Sequence, residues 1–177
     1  MLVLSAAVTI VGILCSLDLL LTFGVIRRLR EHTSILAAAG PAESTIGLAS
    51  GESPGEFTAA TNSGEVMTGA AGLRMVAFFS SWCSACPERV PPFLEYVITH
   101  RIGRDSVLAV VAQDSVTPAP YLDRLAGVAQ VCVEPSDGEI AKAFQVSGFP
   151  AFCLLDADGA ITVSGYNPAT LPEPVTV

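Results

Sequence analysis

The sequence is poor in basic residues and in histidine. It contains nine Lys and Arg against 17 Asp and Glu, a formal net charge of −8, and only two His. A protein that binds nucleic acid needs a basic surface to neutralise phosphates, and no basic stripe runs through this sequence. A zinc site needs several His or Cys ligands close together. We therefore expect neither a nucleic-acid partner nor a bound metal.

Charged side chains are almost absent from residues 1–26, where Asp18 is the only one. An apolar run of this length can cross a hydrocarbon core of ~30 Å, whereas a buried helix of a soluble domain is rarely apolar on all sides. We predict one N-terminal transmembrane helix over residues 1–26. No Lys or Arg precedes the run, and bulky Leu14 before Cys15 does not suit a lipoprotein signal, so we expect an uncleaved anchor in the cell membrane.

Three arginines, Arg27, Arg28 and Arg30, follow this run, and the chain then becomes rich in Ala, Gly, Ser and Pro. Residues 27–55 are predicted to form a basic juxtamembrane segment and a flexible linker. Positive residues favour the cytoplasmic side, so the charge rule places the following domain in the cytoplasm. Asp18 is costly in lipid, and it either faces a partner helix or lies near a hydrated interface.

Residues 56–177 have the pattern of one α/β domain. Asn62-Ser63-Gly64 between two short strand-like stretches predicts a hairpin. Further strands are predicted at residues 73–79, 106–112, 131–133, 151–155 and 160–164, and helices at residues 86–100, 118–125 and 138–144. Buried strands joined by helices predict an α/β sandwich with a parallel sheet, and the turn at residues 156–159 adds an antiparallel hairpin at its edge.

Two cysteines with two residues between them follow the first long buried strand, in the motif Ser81-Trp82-Cys83-Ser84-Ala85-Cys86-Pro87. A helix is predicted to open there, and the free N–H groups and dipole at its start stabilise a thiolate. The spacing places the second thiol about one helical turn away, within reach of a mixed disulfide. We expect Cys83 to be the attacking thiol and Cys86, one turn inside the helix, to be the resolving thiol.

Two other interpretations of this pair stay open. One is half of a zinc site, which would need a second pair of ligands, whereas Cys132 and Cys153 are isolated within apolar strands. The other is an inert pair of core cysteines. A second motif bears on the choice: Phe149-Pro150 stands just ahead of a predicted strand, and an X–Pro bond can be cis. A cis bond would let the backbone of Phe149 face a partner chain beside Cys83.

The motifs WCSAC, GFPAF and LLDADG, in this order, resemble the thioredoxin superfamily. Within it, the single anchor, the arginine-rich stretch and FQVSGFPAFCLLDADG resemble the TlpA family, above all its MauD branch of methylamine-utilisation accessory proteins. The resemblance implies a thioredoxin-like three-layer sandwich with a mixed sheet. It also implies disulfide exchange with protein thiol or disulfide substrates, an upstream redox partner, and no cofactor beyond the cysteine pair.

Site residues follow from the resemblance as well. It implies catalytic roles for Cys83 and Cys86, a cis peptide at Pro150, and a substrate-facing surface of Trp82, Phe149 and Pro150. It places the domain on the extracytoplasmic side, against the charge rule, because disulfides persist there. Whether the protein reduces, oxidises or isomerises depends on its redox partner.

The sequence departs from the family at three places. Ala77 stands where thioredoxins have a buried acidic proton acceptor, and Arg89 stands where cytochrome-maturation members have a glutamate. Glu88 and Arg89 are the remaining candidates for modulating the pKa values of the thiols, and Glu88 or water for proton transfer. The chain after Asn167 leaves little room for the last thioredoxin helix, so we expect one sheet face to be poorly covered.

Three other functions fit the sequence less well than disulfide exchange. A peroxiredoxin-like peroxidase needs a hydroxyl and an arginine around a lone peroxidatic cysteine, which WCSAC fits poorly. A copper-binding assembly factor of similar fold needs more widely spaced cysteines and a downstream His. A redox-silent scaffold or assembly factor in a membrane complex would not need the intact cysteine pair.

Overall fold

The computed structural model describes Gly12, residues 46–113 and residues 119–174. The chain divides after Ala42, and the second unit, Glu43–Val177, contains every described residue except Gly12. The predicted anchor, apart from Gly12, and residues 27–45 of the predicted linker lie outside the described residues. Within the described part of the chain, no helix is both long enough and apolar enough to span a membrane.

Five strands form the central sheet in the order β5-β4-β3-β6-β7, and a separate hairpin is formed by β1 and β2. The strands are β1 Thr58–Ala60, β2 Val66–Thr68, β3 Met75–Ser80, β4 Val107–Ala112, β5 Gln130–Glu134, β6 Ala151–Leu155 and β7 Ile161–Gly165. Strands β3, β4 and β5 are parallel, while β6 runs antiparallel to both β3 and β7. This is the predicted mixed sheet, with an antiparallel hairpin at its edge.

Three α-helices connect the strands: α1 Cys86–Thr99, α2 Leu122–Ala126 and α3 Glu139–Ala143. Two short 3-10 helices lie at Arg104–Ser106 and Pro168–Thr170. Helix α1 runs unbroken through Pro91 and Pro92, where the sequence predicts a bend or an interruption. Each proline lacks an N–H and removes one hydrogen bond of the helix, and the burial of Val90 and Phe93 in the core supports the helix on either side of them.

Every residue of β3 is buried, and its side chains alternate between two apolar layers. Met75, Ala77 and Phe79 face the layer that holds α1 and α2. Val76 and Phe78 face the other layer, with α3, β1 and β2. The sheet is therefore covered on both faces, which gives the predicted three layers.

The packed domain begins earlier than residue 56, so the predicted boundary of the linker is wrong. Ile46 is 1% exposed and Leu48 is 5% exposed. The amide of Leu48 donates to the carbonyl of Phe144, and the amide of Ser147 donates to the carbonyl of Ile46. A Cβ on Gly47 would lie 2.4 Å from the Phe144 carbonyl oxygen, so only glycine allows this close approach. The side chains of Ile46 and Leu48 therefore pack this stretch of small and polar residues into the layer that contains α3.

The residues after β7 cover part of the sheet face that carries α1, where the sequence predicts poor coverage. The 3-10 helix after β7 brings Leu171 against the layer that contains α1. The hydroxyl of Tyr96 on α1 donates to the carbonyl of Pro172. This segment takes part of the place that a last helix would fill, so the face of the sheet behind α1 is not left bare.

Candidate redox site

The two cysteines of the motif differ in exposure. Cys83 is half-buried in the turn between β3 and α1, while Cys86 is 0% exposed. Helix α1 begins at Cys86 itself, so the prediction that Cys86 lies one turn inside the helix is wrong. The turn before it closes through a hydrogen bond from the Cys86 amide to the Cys83 carbonyl, 3.2 Å. Burial, rather than a position deeper in the helix, distinguishes the two thiols.

Ser80, the last residue of β3, fixes this turn. Its carbonyl oxygen accepts a hydrogen bond from the amide of Cys83 at 3.2 Å and another from the hydroxyl of Tyr121 at 2.8 Å. Its own hydroxyl oxygen accepts from the amide of Trp82 at 3.3 Å. Ser80 is completely buried, so these bonds are shielded from competing water. The turn that carries the first thiol is therefore anchored to the end of the strand.

The pKa of Cys86 is raised to about 12, and burial is the largest cause. A side-chain hydrogen bond with Cys83 and the negative charge of Cys83 contribute to the rise, while a hydrogen bond with the backbone of Ser80 opposes it. The nucleophile in disulfide exchange is the thiolate, and Cys86 is a neutral thiol at neutral pH. In the resting dithiol, Cys86 is therefore the poorer nucleophile of its pair.

Residues from the second motif reach Cys83. The Sγ of Cys83 donates to the carbonyl oxygen of Phe149 at 3.4 Å, across 66 positions of sequence. The bond between Phe149 and Pro150 is cis. The ring of Phe149 meets the ring of Trp82 edge to face, with centroids 6.4 Å apart, and Trp82 is 51% exposed. Pro150 is buried beneath them. The fold thus brings Trp82, Phe149 and Pro150 together beside the first thiol.

No protein-family model matches the sequence, and no curated protein matches it either. Solved structures do resemble it. The thioredoxin domain of a thiol-disulfide oxidoreductase from Bacteroides vulgatus aligns with a TM-score of 0.54 and 18% identity, over 66% of this chain and 88% of that one. A thiol:disulfide interchange protein from Bacteroides sp. aligns with a TM-score of 0.54 and 16% identity, over 69% of this chain and 84% of that one. A thiol-disulfide oxidoreductase from Bacteroides fragilis aligns with a TM-score of 0.51 and 15% identity, over 64% of this chain and 89% of that one.

The chain has a thioredoxin-like fold. At these identities the likeness establishes the fold and nothing finer. In this thioredoxin-like domain, Ala77 is fully buried between Ala109 of β4 and Phe152 of β6, so the position contributes packing and no proton acceptor.

The two predicted modulators, Glu88 and Arg89, lie in the first turn of α1. Glu88 is exposed and Arg89 is half-buried, and neither forms an ion pair with another described residue. The raised pKa of Cys86 has burial and Cys83 as its causes, and no carboxylate or guanidinium contributes to it. The structure therefore does not bring these two side chains to act on Cys86.

Tyr121 is a site residue that the sequence did not reveal. It precedes α2, is 4% exposed, and packs its ring against Phe79 with centroids 5.6 Å apart. Burial raises its pKa, and the charges of Cys86 and Cys83 add to the shift, so its hydroxyl stays protonated. It belongs to no recognisable motif and is separated from Ser80 by 41 positions, so only the fold could place it here.

The other described cysteines lie on the opposite face of the sheet. Cys132 on β5 and Cys153 on β6 are buried in the layer that contains α3. Burial raises their pKa values, to about 11 for Cys132 and about 12 for Cys153. Across the described residues, no group of three or more His, Cys, Asp or Glu is placed to hold a metal ion.

Proposed function

We propose that this protein is a membrane-anchored thiol–disulfide oxidoreductase that exchanges disulfides with protein substrates through Cys83 and Cys86. The observation that carries the proposal is the asymmetry of the pair: a half-exposed thiol next to a neutral, fully buried one. Attack by one thiol and resolution by the other need this difference, and an inert core pair does not.

The exchange proceeds in two steps. The thiolate of Cys83 attacks one sulfur of a substrate disulfide, the substrate S–S bond breaks, and the leaving sulfur takes a proton. Cys86 then loses its proton and attacks the Sγ of Cys83, which releases the substrate as a dithiol and leaves a Cys83–Cys86 disulfide. An upstream thiol partner reduces that disulfide again. Run backwards, the same steps oxidise a substrate dithiol.

Among the described residues no carboxylate affects the pKa of Cys86: position 77 is an alanine, and Glu88 is exposed. We assign the proton to water that enters when the mixed disulfide forms. In that intermediate Cys83 is bonded to the substrate, so its negative charge no longer raises the pKa of Cys86. Cys86 thereby becomes easier to ionise at the step where it must attack.

The substrate chain is proposed to lie across Trp82, Phe149 and Pro150. Trp82 offers an exposed aromatic face, and the Phe149 carbonyl marks where a partner backbone would approach Cys83. Aromatic side chains with one free face are enriched where proteins recognise other proteins.

Membrane attachment and location belong to the same proposal. Residues 1–26 are proposed to anchor the domain, and the resemblance to the TlpA family and its MauD branch favours an extracytoplasmic protein substrate during its maturation. A reporter fused to the C-terminus tests the side of the membrane. Extraction with alkaline carbonate tests the anchor, since a soluble, shortened product would contradict it.

The proposed division of roles is tested by trapping. Cys86→Ser should accumulate mixed disulfides with substrate proteins, visible on non-reducing gels, because the resolving thiol is gone. Cys83→Ser should form almost none. Cys132→Ser is the matched control: it removes a buried cysteine from the other face of the sheet and should behave like the wild type.

The activity itself is tested by reduction of insulin disulfides with dithiothreitol as the electron donor. Wild type and Cys132→Ser should accelerate the reaction, and Cys83→Ser should not. Equal trapping by Cys83→Ser would refute the assigned roles. An inactive wild type with no trapped partners would instead support a redox-silent scaffold.

A further inference from the structure

One carbonyl group connects Tyr121 to the reactive thiols. The carbonyl oxygen of Ser80 has two lone pairs, and both are used: the hydroxyl of Tyr121 donates at 2.8 Å and the amide of Cys83 donates at 3.2 Å. The backbone of Ser80 also forms a hydrogen bond with Cys86 that lowers the pKa of its thiol, so here the Ser80 N–H donates to the sulfur. A tyrosine far away in sequence, the amide of the first cysteine and the thiol of the second therefore meet at one residue.

We infer that Tyr121 is a positioning residue of the redox centre, which acts on both cysteines through the backbone of Ser80. This inference rests on the proposed function. Tyr121 is buried, and its hydroxyl remains a neutral donor at neutral pH. Its proton and that of the Cys83 amide hold the Ser80 carbonyl oxygen in place, and with it the backbone that supports both cysteines.

This support affects the two redox states differently. The dithiol can carry negative charge as a thiolate, whereas the disulfide cannot. Without the hydroxyl, the backbone of Ser80 is held less firmly, so the hydrogen bond by which it favours the thiolate form of Cys86 weakens. Loss of the hydroxyl should therefore destabilise the reduced form and move the equilibrium toward the disulfide.

The test is Tyr121→Phe in the full chain, which keeps the ring against Phe79 and removes only the hydroxyl. The fraction of Cys83–Cys86 disulfide is measured by alkylation and mass spectrometry in buffers of reduced and oxidised glutathione. We expect the equilibrium constant to shift about threefold toward the disulfide, the size of one lost hydrogen bond.

Tyr96→Phe is the matched control. Tyr96 is also buried, and its hydroxyl also donates to a main-chain carbonyl, that of Pro172, but this contact joins α1 to the C-terminal segment and not to the thiols. Tyr96→Phe should lower the stability of the protein about as much as Tyr121→Phe does, and it should leave the glutathione equilibrium unchanged. An equilibrium in Tyr121→Phe equal to that of the wild type, or an equal shift in Tyr96→Phe, would overturn the inference.

A second measurement does not depend on the variant being folded. In wild-type protein labelled with 13C-tyrosine, the Cζ resonance of Tyr121 should move between the dithiol and disulfide forms, and that of Tyr96 should not. No movement of Tyr121 would overturn the inference. It would leave the proposed function standing if the wild type reduces insulin, whereas a wild-type pair that glutathione cannot oxidise reversibly would overturn both.

Discussion

Stability of the reduced protein should fall at alkaline pH because of Cys86. Burial raises the pKa of this thiol from 9.0 to about 12 in the folded protein. A group whose folded-state pKa is raised contributes stability that is fully present below the unfolded pKa. That contribution is lost as the pH rises through the folded pKa. The stability contributed by Cys86 is therefore lost between about pH 9 and about pH 12.

The size of the loss follows from these two values. At pH 10 the unfolded thiol is mostly ionised and the folded one is not, which favours unfolding by about 1.4 kcal/mol. Cys132, Cys153, Tyr96 and Tyr121 also have raised pKa values, so the total loss in the wild type is larger. The contribution of Cys86 must be isolated by difference.

The variant Cys86→Ala isolates the contribution of Cys86 to the loss of stability at alkaline pH. The variant is less stable at pH 7 because it leaves a cavity. It cannot titrate, so its deficit relative to the wild type should narrow by about 1.4 kcal/mol at pH 10. Urea unfolding at pH 7 and at pH 10, with a phosphine reductant present, measures the stability of the wild type and of the variant. Val90→Ala is the control: it truncates another fully buried side chain on α1, and its deficit should not depend on pH. If the stability deficit of Cys86→Ala were also the same at both pH values, the argument from burial would be refuted.

Two further pairs of variants test the surroundings of Cys83. The Oγ of Ser81 is buried and has no hydrogen-bond partner among the described residues, whereas the Oγ of Ser80 accepts from the Trp82 amide. Urea unfolding should therefore find Ser81→Ala more stable than Ser80→Ala by about 1 kcal/mol, and the reverse order would contradict this. Trp82→Ala should slow insulin reduction severalfold and leave reduction of a small aromatic disulfide unchanged. Ile98→Ala, which removes an exposed side chain from the last turn of α1, should alter neither rate, and an equal loss on both substrates would count against the docking surface.

Much of the sheet could be predicted because its strands are apolar along their whole length. Strands β3 and β4 are buried at every residue, which a continuous apolar run indicates regardless of the partner strand. The positions of Cys83 in the turn after β3 and of Cys86 at the start of α1 could be predicted for the same reason, since the strand and the helix pattern are both local. Local patterns carry this information without any knowledge of tertiary contacts.

Contacts between distant segments could not be predicted in this way. Ile46 and Leu48 stand in a stretch of linker-like composition, and only their contact with the α3 face shows that they belong to the core. Tyr121 is one aromatic residue among several, and nothing near it in sequence connects it to Ser80. In both cases the decisive partner is far away in the chain, so composition and periodicity contain no signal for it.

The departure at Ala77 has a physical consequence for the whole site. A buried carboxylate would act on the resolving thiol through charge, but the raised pKa of Cys86 arises from burial and from Cys83. The other described groups around the pair are uncharged: a main-chain carbonyl at Ser80, a phenol at Tyr121 and a carbonyl at Phe149. Dipoles of this kind act only over short distances and in fixed orientations, unlike a full charge. If the pair exchanges disulfides as proposed, its reactivity is therefore tied to the geometry of one turn, which Ser80 holds in place.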